Sequence, residues 1–250
     1  MSNKKISFVI LTWNRAKMLK ICLDELVCSI SDKNSAEIII LDNYSSDNTR
    51  EVITEFSQAN EKNIDITTIF SQENKRLNAY KELFFKAKGN IVVEVDDDVL
   101  SYPKNIDLIF QEYFNKFPDF GFLCLDVIQN EFTNGAKPPV EAYLEIEREN
   151  LIIQQGPTGG WCAGFRRRDF KKIAFLFRII PLSMKHGEDG MLVRLFKLIF
   201  KKSGVIKDKK CFHACGSYYS KQFDLLERDI EKYKVSGLHD FVEKYSNIKE

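Results

Sequence analysis

No stretch of this 250-residue chain has the roughly 20 consecutive apolar residues that a membrane-spanning helix needs. The longest early apolar run, Ile6 to Trp13, is broken by Ser7 and Thr12 and closed by Asn14-Arg15, and it shows no signal-peptide cleavage pattern. An excess of one charge is also missing. Lys and Arg total 37 against 36 Asp and Glu, a formal charge of +1, so no electrostatic case exists for nucleic acid as the main partner. The 6 cysteines (Cys22, Cys28, Cys124, Cys162, Cys211 and Cys215) are scattered and form no disulfide framework. Without a secretion signal they indicate a reducing, cytoplasmic setting. Cys211 and Cys215 flank His213, but no second ligand pair at finger-like spacing accompanies them, which disfavours structural zinc. Internal repeats, low-complexity segments and clear linkers are absent, and the chain reads as one continuous domain. One apolar segment, Ala174 to Pro181, is interrupted by Arg178 and reads as buried core, with contact at a membrane surface as its alternative.

The first half alternates between two periods. Ile6–Leu11, Ile38–Leu41, Ile64–Phe70 and Ile91–Val95 are short, β-branched apolar runs that read as strands. Between them, Ala16–Cys28 places Met18, Leu19, Cys22, Leu23, Leu26 and Val27 at helical spacing, a second helix starts near Ser46-Asp47, and a third covers Leu77–Ala87 with Gly89 as its C-cap. A fourth helix, Ile106–Phe117, stops at Pro118. Such alternation predicts right-handed crossovers and a mostly parallel sheet flanked by helices. The second half is less regular. It reads as a strand at Phe120–Ile128, a polar excursion from Gln129 to Asn150, strands at Leu151–Ile153 and Val205–Ile206, helices near Arg168–Phe175 and from Gly190 to Phe200, and a last helix from Phe223 to Tyr245.

The most informative segment is Asp96-Asp97-Asp98, directly behind the fourth strand. Carboxylates about 4–5 Å apart repel by roughly 3–4 kcal/mol at an effective dielectric near 20. A hard divalent cation is the usual neutraliser. Period 2 puts Asp96 and Asp98 on one side and Asp97 on the other. The competing reading is a turn that caps the next helix, with Ser101 near the N-cap and Pro103 at its first position. In parallel sheets ligands bind beyond the carboxyl ends of the strands, and Thr12-Trp13-Asn14-Arg15 and Asp42-Asn43 lie at such ends too.

Taken in order, these segments resemble the family 2 glycosyltransferases, inverting enzymes of the Rossmann-like GT-A (nucleotide-diphospho-sugar transferase) fold. Ile10 to Arg15 resembles the family's opening strand and nucleotide loop, Leu41 to Thr49 its second acidic loop, and Asn74 to Val92 the helix and glycine before the D-x-D strand. Asp96-Asp97-Asp98 resembles the D-x-D itself, and Glu188-Asp189 followed by Arg194 resembles the late "ED" motif. Residues 1–118 would then form the nucleotide-sugar half, 119–220 the acceptor and catalytic half, and 221–250 a C-terminal helix.

The resemblance implies roles. Thr12, Trp13, Asn14, Arg15, Asp42, Arg76, Asp96 and Asp97 would serve the nucleotide sugar, with Asp97 and Arg15 also open to structural readings, Trp13 to core, Asp42 to a turn and Arg76 to a solvated surface. Asp98 would bind Mn²⁺ or Mg²⁺, with His213 as a further ligand or an ordinary buried histidine. Asp189 would be the general base, Glu188 its fallback, and Gly160 and Trp161 an acceptor wall, with core as the alternative for Trp161. His186 precedes Gly187-Glu188-Asp189 and is a weaker candidate for orienting an acceptor. A processive Gln-x-x-Arg-Trp motif is missing, and Tyr80-Lys81 replaces the Ala-Arg of many relatives. The implied activity is transfer of one hexosyl or N-acetylhexosaminyl unit. It would pass from a nucleotide sugar, UDP-linked by that resemblance, to a glycan, lipid-linked or protein-linked acceptor in cell-surface polysaccharide biosynthesis, with peripheral contact at the inner face of the membrane left open. The competing classes are a sugar-phosphate nucleotidyltransferase, which should carry a Gly-rich phosphate loop where this chain has Thr-Trp-Asn-Arg, and a non-catalytic nucleotide-sugar-binding protein.

Overall fold

Four apolar strands of the first half pair in parallel in a computed structural model that describes residues 4–133, 137–184 and 187–247. They are β1 (Ile6–Thr12), β2 (Ala36–Asp42), β3 (Asp65–Phe70) and β4 (Ile91–Asp96). β1, β2 and β4 are buried almost throughout because helices cover both faces, whereas β3 is the half-exposed edge. The register sets Thr12 opposite Asp42 and Leu11 opposite Asp96, so the loops that leave these strands meet on one rim.

Helices α1 (Ala16–Ser29), α2 (Thr49–Asn60) and α3 (Ala79–Lys86) make the crossovers, and α1 buries the predicted face Met18, Leu19, Cys22, Leu23, Leu26 and Val27. Gly89 is not a helix C-cap. Helix α3 ends at Lys86 with Ala87 as its cap, and Gly89 instead lets the chain pass against β1. Its N–H donates to Ser7 Oγ (2.7 Å), Ser7 Oγ donates to Glu37 Oε1, and Glu37 Oε1 also accepts from the Lys88 N–H (2.7 Å).

Beyond β4 the sheet continues as β9 (Cys162–Arg166), β6 (Phe120–Val127), β10 (Lys202–His213), β8 (Leu151–Gln155) and β7 (Leu144–Arg148). β9 runs antiparallel to both β4 and β6, while β6 and β10 are parallel. A short strand, β5 (Val99–Ser101), pairs antiparallel with the end of β10. Helix α4 (Ile106–Lys116) therefore starts well past the acidic triplet, with Asn105 at its N-cap, and Ser101 lies in a strand. The helix-capping reading of the triplet fails on that geometry.

The second half departs from expectation in definite ways. The excursion between Gln129 and Asn150 contains β7, in a hairpin with β8. The strand read at Val205–Ile206 is the middle of β10, which bulges between Ile206 and Lys210, where Asp208 takes φ 63°. The final helix is two, α8 (Leu226–Val235) and α9 (His239–Ser246), broken at Gly237 (φ 70°), and a further helix, α7 (Ser217–Gln222), precedes them across Asp224 (φ 59°). Helices α5 (Arg167–Ile179) and α6 (Glu188–Leu198) pack on the sheet through Phe165, Phe84, Phe170, Phe177 and Phe196, with ring centroids 4.9 to 6.0 Å apart. This cluster fixes where α6, and hence Glu188, begins. Only part of Ala174–Pro181 is core: Phe177 is buried, while Phe175, Leu176 and Ile179 are exposed.

A Cβ on Gly89 would lie 2.6 Å from the Ile6 carbonyl carbon and 2.6 Å from the Ser7 nitrogen, both backbone atoms that cannot swing away. Gly89→Ala should therefore lower stability by about 2 kcal/mol, read as a shifted urea midpoint at unchanged slope. An unchanged midpoint would contradict this account of the glycine.

Candidate functional site

The short strand β5 turns the acidic triplet into a cluster. It follows Asp98 immediately and zips onto β10, placing His213 opposite Val99, and the Ala214 N–H donates to the Asp98 carbonyl (2.9 Å). His213 Nε2 consequently stands 3.0 Å from Asp98 Oδ1 and 3.5 Å from Asp96 Oδ2. One ligand atom from each of Asp96, Asp98 and His213 falls within 4.8 Å of the others. Asp98 Oδ1 is buried and lacks a well-directed hydrogen bond. Two carboxylates and an imidazole form an oxygen–nitrogen set that suits Mn²⁺ or Mg²⁺. No cysteine joins such a cluster among the described residues.

Arg15 answers the triplet from β1's loop. Its Nη1 donates to Asp97 Oδ1 (2.7 Å) and to Asp98 Oδ2 (2.6 Å), and Nη2 lies 3.6 Å from Asp229 Oδ1. Burial acts to raise the Asp98 carboxyl, but Arg15 and His213 outweigh it and hold the group well below the usual range. Burial likewise acts to lower His213, yet Asp98 beside it lifts the imidazole well above its ordinary value. Asp96 is pushed up to about 6, by burial first, with His213 opposing and Asp98 and Asp97 adding to the rise. It takes a long hydrogen bond from the Tyr80 hydroxyl (3.4 Å).

These groups form one wall of a cavity of 530 Å³, a volume within the range of small-molecule sites. Thr12 and Trp13 supply a second wall, Asn43, Asn74 and Arg76 a third, and α8 closes the fourth with Arg228 and Lys232. Arg228 donates to the Trp13 carbonyl through Nε (3.1 Å) and Nη2 (2.7 Å), and its guanidinium stacks 5.0 Å above the Trp13 ring. The Lys232 ammonium is pushed down to about 8, by burial and then by Arg228 and Arg15. Neither residue was expected in the site. They sit at i, i+4 on a helix dense in charge, a pattern identical to an ordinary solvated face.

A second acid cluster lies behind Gly160. A Cβ there would be 2.9 Å from Glu188 Oε1 and 3.1 Å from Glu94 Oε1, so the glycine lets both carboxyls approach without a shift. Glu94 is fully buried with neither oxygen hydrogen-bonded, and burial, then Glu188 and Asp189, raise it well above the carboxylate range. Burial and Asp189 push Glu188 up to about 8. Asp189, raised by burial, is opposed by the Gly190 N–H that donates to Oδ1 at 2.6 Å. Gly187, at φ 63°, leaves room for that carboxylate, since a Cβ would meet Asp189 Oδ1 at 2.0 Å.

The sequence profile of glycosyl transferase family 2 matches residues 7–174, from β1 into α5. The chain belongs to glycosyl transferase family 2. Similar solved structures share its GT-A fold. Mannosyltransferase PcManGT from Pyrobaculum calidifontis, in complex with GDP-Man and Mn²⁺, gives a TM-score of 0.65 at 16% identity, covering 84% of this chain and 56% of its own. S. aureus TarS 1-349 in complex with UDP-GlcNAc gives 0.63 at 16% identity, covering 83% and 58%. The chain thus spans little more than half the length of these relatives. No curated protein matches it in sequence.

In this family 2 chain the expected site residues divide. Thr12, Trp13, Arg15, Arg76, Asp96, Asp97, Asp98 and His213 line the cavity; Asn14, Asp42, Gly160, Trp161, Glu188 and Asp189 do not. Asn14 joins loops instead, its Oδ1 accepting from the Ser46 N–H (2.7 Å) and its N–H donating to Ser45 Oγ (2.8 Å). Asp42 is fully buried behind the wall, paired with Arg50 Nε (2.7 Å) and the Ser45 N–H (3.0 Å), and Asn43 reaches the cavity in its place. Trp161 is 4% exposed, with its indole N–H donated to the Leu125 carbonyl (2.9 Å), which leaves no face for a sugar to stack on. His186 lies outside the described residues.

Asp229 links α8 to Arg15 and Arg228, and those cations, overcoming burial, depress its carboxyl. Its contribution is present above the unfolded-state value and lost as pH falls through the depressed one. Asp229→Asn should cost about 3 kcal/mol and speed hydrogen exchange of α8 amides. Exchange at the wild-type rate would refute the anchoring role.

Proposed function

We propose that the chain transfers one sugar, with inversion and metal dependence, from a nucleotide-sugar donor to an acceptor hydroxyl. The observation that carries this reading is the Asp96, Asp98 and His213 cluster in the wall of a nucleotide-sized cavity. The relatives add support, since PcManGT was solved with GDP-Man and Mn²⁺ and TarS with UDP-GlcNAc. We take the donor to be a UDP-sugar, the transfer to be hexosyl or N-acetylhexosaminyl and non-processive, and the acceptor to be a lipid-linked or protein-linked glycan precursor of the cell surface. The setting we infer is cytoplasmic with peripheral membrane contact; none of the described helices is long and apolar enough to cross a bilayer.

Asp98 and His213 would hold the cation, with Asp96 beside them directly or through water. A Mn²⁺ or Mg²⁺ ion held there would supply the positive charge that a diphosphate leaving group needs. The chain contributes the remaining parts. Trp13, Asn43, Arg76, Arg228 and Lys232 line the cavity; in this reading the first three would border base and ribose, and the last two would meet phosphate charge. Asp189 receives the acceptor proton. Glu188, pushed up to about 8, keeps its proton at neutral pH, and burial pushes Glu94 well above the carboxylate range too, so Asp189 is the acid we assign to accept one.

Asp189→Asn should lower kcat by about 10²–10⁴-fold while the dissociation constant for UDP changes less than about twofold. Turnover at the wild-type rate would remove Asp189 as base.

Metal binding should depend on pH in a stated direction. A cation on Nε2 must displace the proton that Asp98 stabilises on His213, so Mn²⁺ affinity should rise with pH through the neutral range. UDP affinity should fall above pH 8 as Lys232 loses its charge. Titration calorimetry across pH checks both; a flat Mn²⁺ profile would exclude His213 as a ligand.

A further inference from the structure

Helix α5 and the turn after α6 form a face that the transfer chemistry does not use. On α5, Phe170, Ile173 and Phe177 are buried, while Phe175 and Ile179, one helical turn apart, are 73% and 56% exposed. At the end of α6, Leu198 is 64% exposed, and just past it Phe200 is 93% exposed. Phe200 is not a frayed end. It takes φ 57°, its N–H donates to the Lys197 carbonyl (3.1 Å), and the next N–H, from Lys201, returns to Phe196 (3.0 Å), so the turn holds the ring outward. The two segments are neighbours, because Lys172 on α5 and Lys201 past α6 both bear on Asp169.

Basic groups predominate around these apolar side chains, with Lys202 paired to Asp119 (3.3 Å). Helix α5 carries Arg167, Arg168, Lys171, Lys172 and Arg178, and its one acid, Asp169, is buried against Arg166 (2.8 Å). Lys197, Lys201 and Lys202 border Leu198 and Phe200. The chain as a whole is nearly neutral at +1, so this is a local concentration and not a reflection of composition. Large apolar side chains projecting among lysines and arginines on a helix lying along the surface match a bilayer interface, where rings enter the acyl boundary and cations meet anionic headgroups.

We propose that this face docks the protein on a membrane surface rich in anionic lipid. It specifies the peripheral contact inferred above and rests on that part of the reading alone. Helix α6 connects the face to the site: Glu188 opens it and Leu198 closes it, 11 residues or roughly 16 Å apart. Docking would hold the Asp189 end of α6 within reach of an acceptor carried on lipid.

The test is co-sedimentation of the full chain with vesicles of phosphatidylcholine, alone or mixed with phosphatidylglycerol, without donor, metal or acceptor. The expected result is binding to the mixed vesicles, falling with salt, and weakened roughly tenfold or more by Lys171→Glu with Lys172→Glu. Phe175→Ser with Phe200→Ser should weaken it too, whereas Lys33→Glu with Lys62→Glu should not. As a second readout, Phe200→Trp should add a blue-shifted, bromolipid-quenched emission on the mixed vesicles. No vesicle binding by the wild type, equal binding by the face variants, or an added emission that neither shifts nor quenches in the Phe200→Trp protein would overturn the proposal; capture of an acidic protein in place of vesicles would do the same. Because no turnover is measured, failure here leaves the transfer reading intact, and loss of activity in Asp189→Asn leaves the docking proposal intact.

Discussion

The open end of this sheet is organised by the mutual repulsion of Asp96, Asp97 and Asp98. Three acids at the end of a buried strand cannot remain together unless positive charge is brought to them. The fold does so from distant points in the sequence. Arg15 comes from the loop after β1 and engages Asp97 and Asp98, and His213 comes from the end of β10, carried in by its pairing with β5. Asp96, raised to about 6, is the least compensated of the three and faces the cavity. A site of this kind is prepared for a cation: its protein counter-charges hold the acids in place, and one of them, His213, is itself a metal-binding group once it gives up a proton.

The same constraint explains why the C-terminal helices fold back on the first loop. Arg15 needs a further acid to hold it, and Asp229 on α8 supplies one; Arg228 then clasps Trp13 by its carbonyl and its ring. The result couples the two ends of the chain across the cavity and brings Lys232 to its wall. Behind Gly160, Glu94 and Glu188 form a second acidic group pushed above the usual carboxylate range by burial first, and then by Glu188 and Asp189 for Glu94 and by Asp189 for Glu188. The two clusters of acids thus differ: Arg15 and His213 reach into the first, whereas burial and neighbouring acids push Glu94 and Glu188 of the second upward, and Asp189 stands at its edge.

Much of this was legible in the sequence. The parallel half is readable because β1, β2 and β4 are buried on both faces and appear as short, mostly β-branched apolar runs separated by amphipathic helices. The triplet, His213 and the Glu188-Asp189 pair stand out because their order matches a family pattern, and the structure brings Asp96, Asp98 and His213 together. Strand β9 was not readable: Cys162-Ala163-Gly164-Phe165-Arg166 is small, mixed and without period, and it is a strand because β4 and β6 both need an antiparallel partner. β10 was shortened because Lys207 to Lys210 reads as a charged loop although the strand continues through a bulge. Asn14, Asp42 and Trp161 were placed in the binding site by motif position, but backbone donors, Arg50 and the Leu125 carbonyl claim them. Arg228 and Lys232 escaped notice because nothing local distinguishes a helix that covers a pocket from one that faces water.

The account turns on the claim that the acidic triplet and His213 form a cation site. The most direct measurement is an anomalous-difference map from a crystal grown with Mn²⁺ and UDP. A single peak bonded to Asp98 and His213, next to Asp96 and in contact with the UDP diphosphate, is the predicted result. UDP bound with no peak there, or with Mn²⁺ held elsewhere while Arg15 and His213 still occupy Asp98, would contradict it.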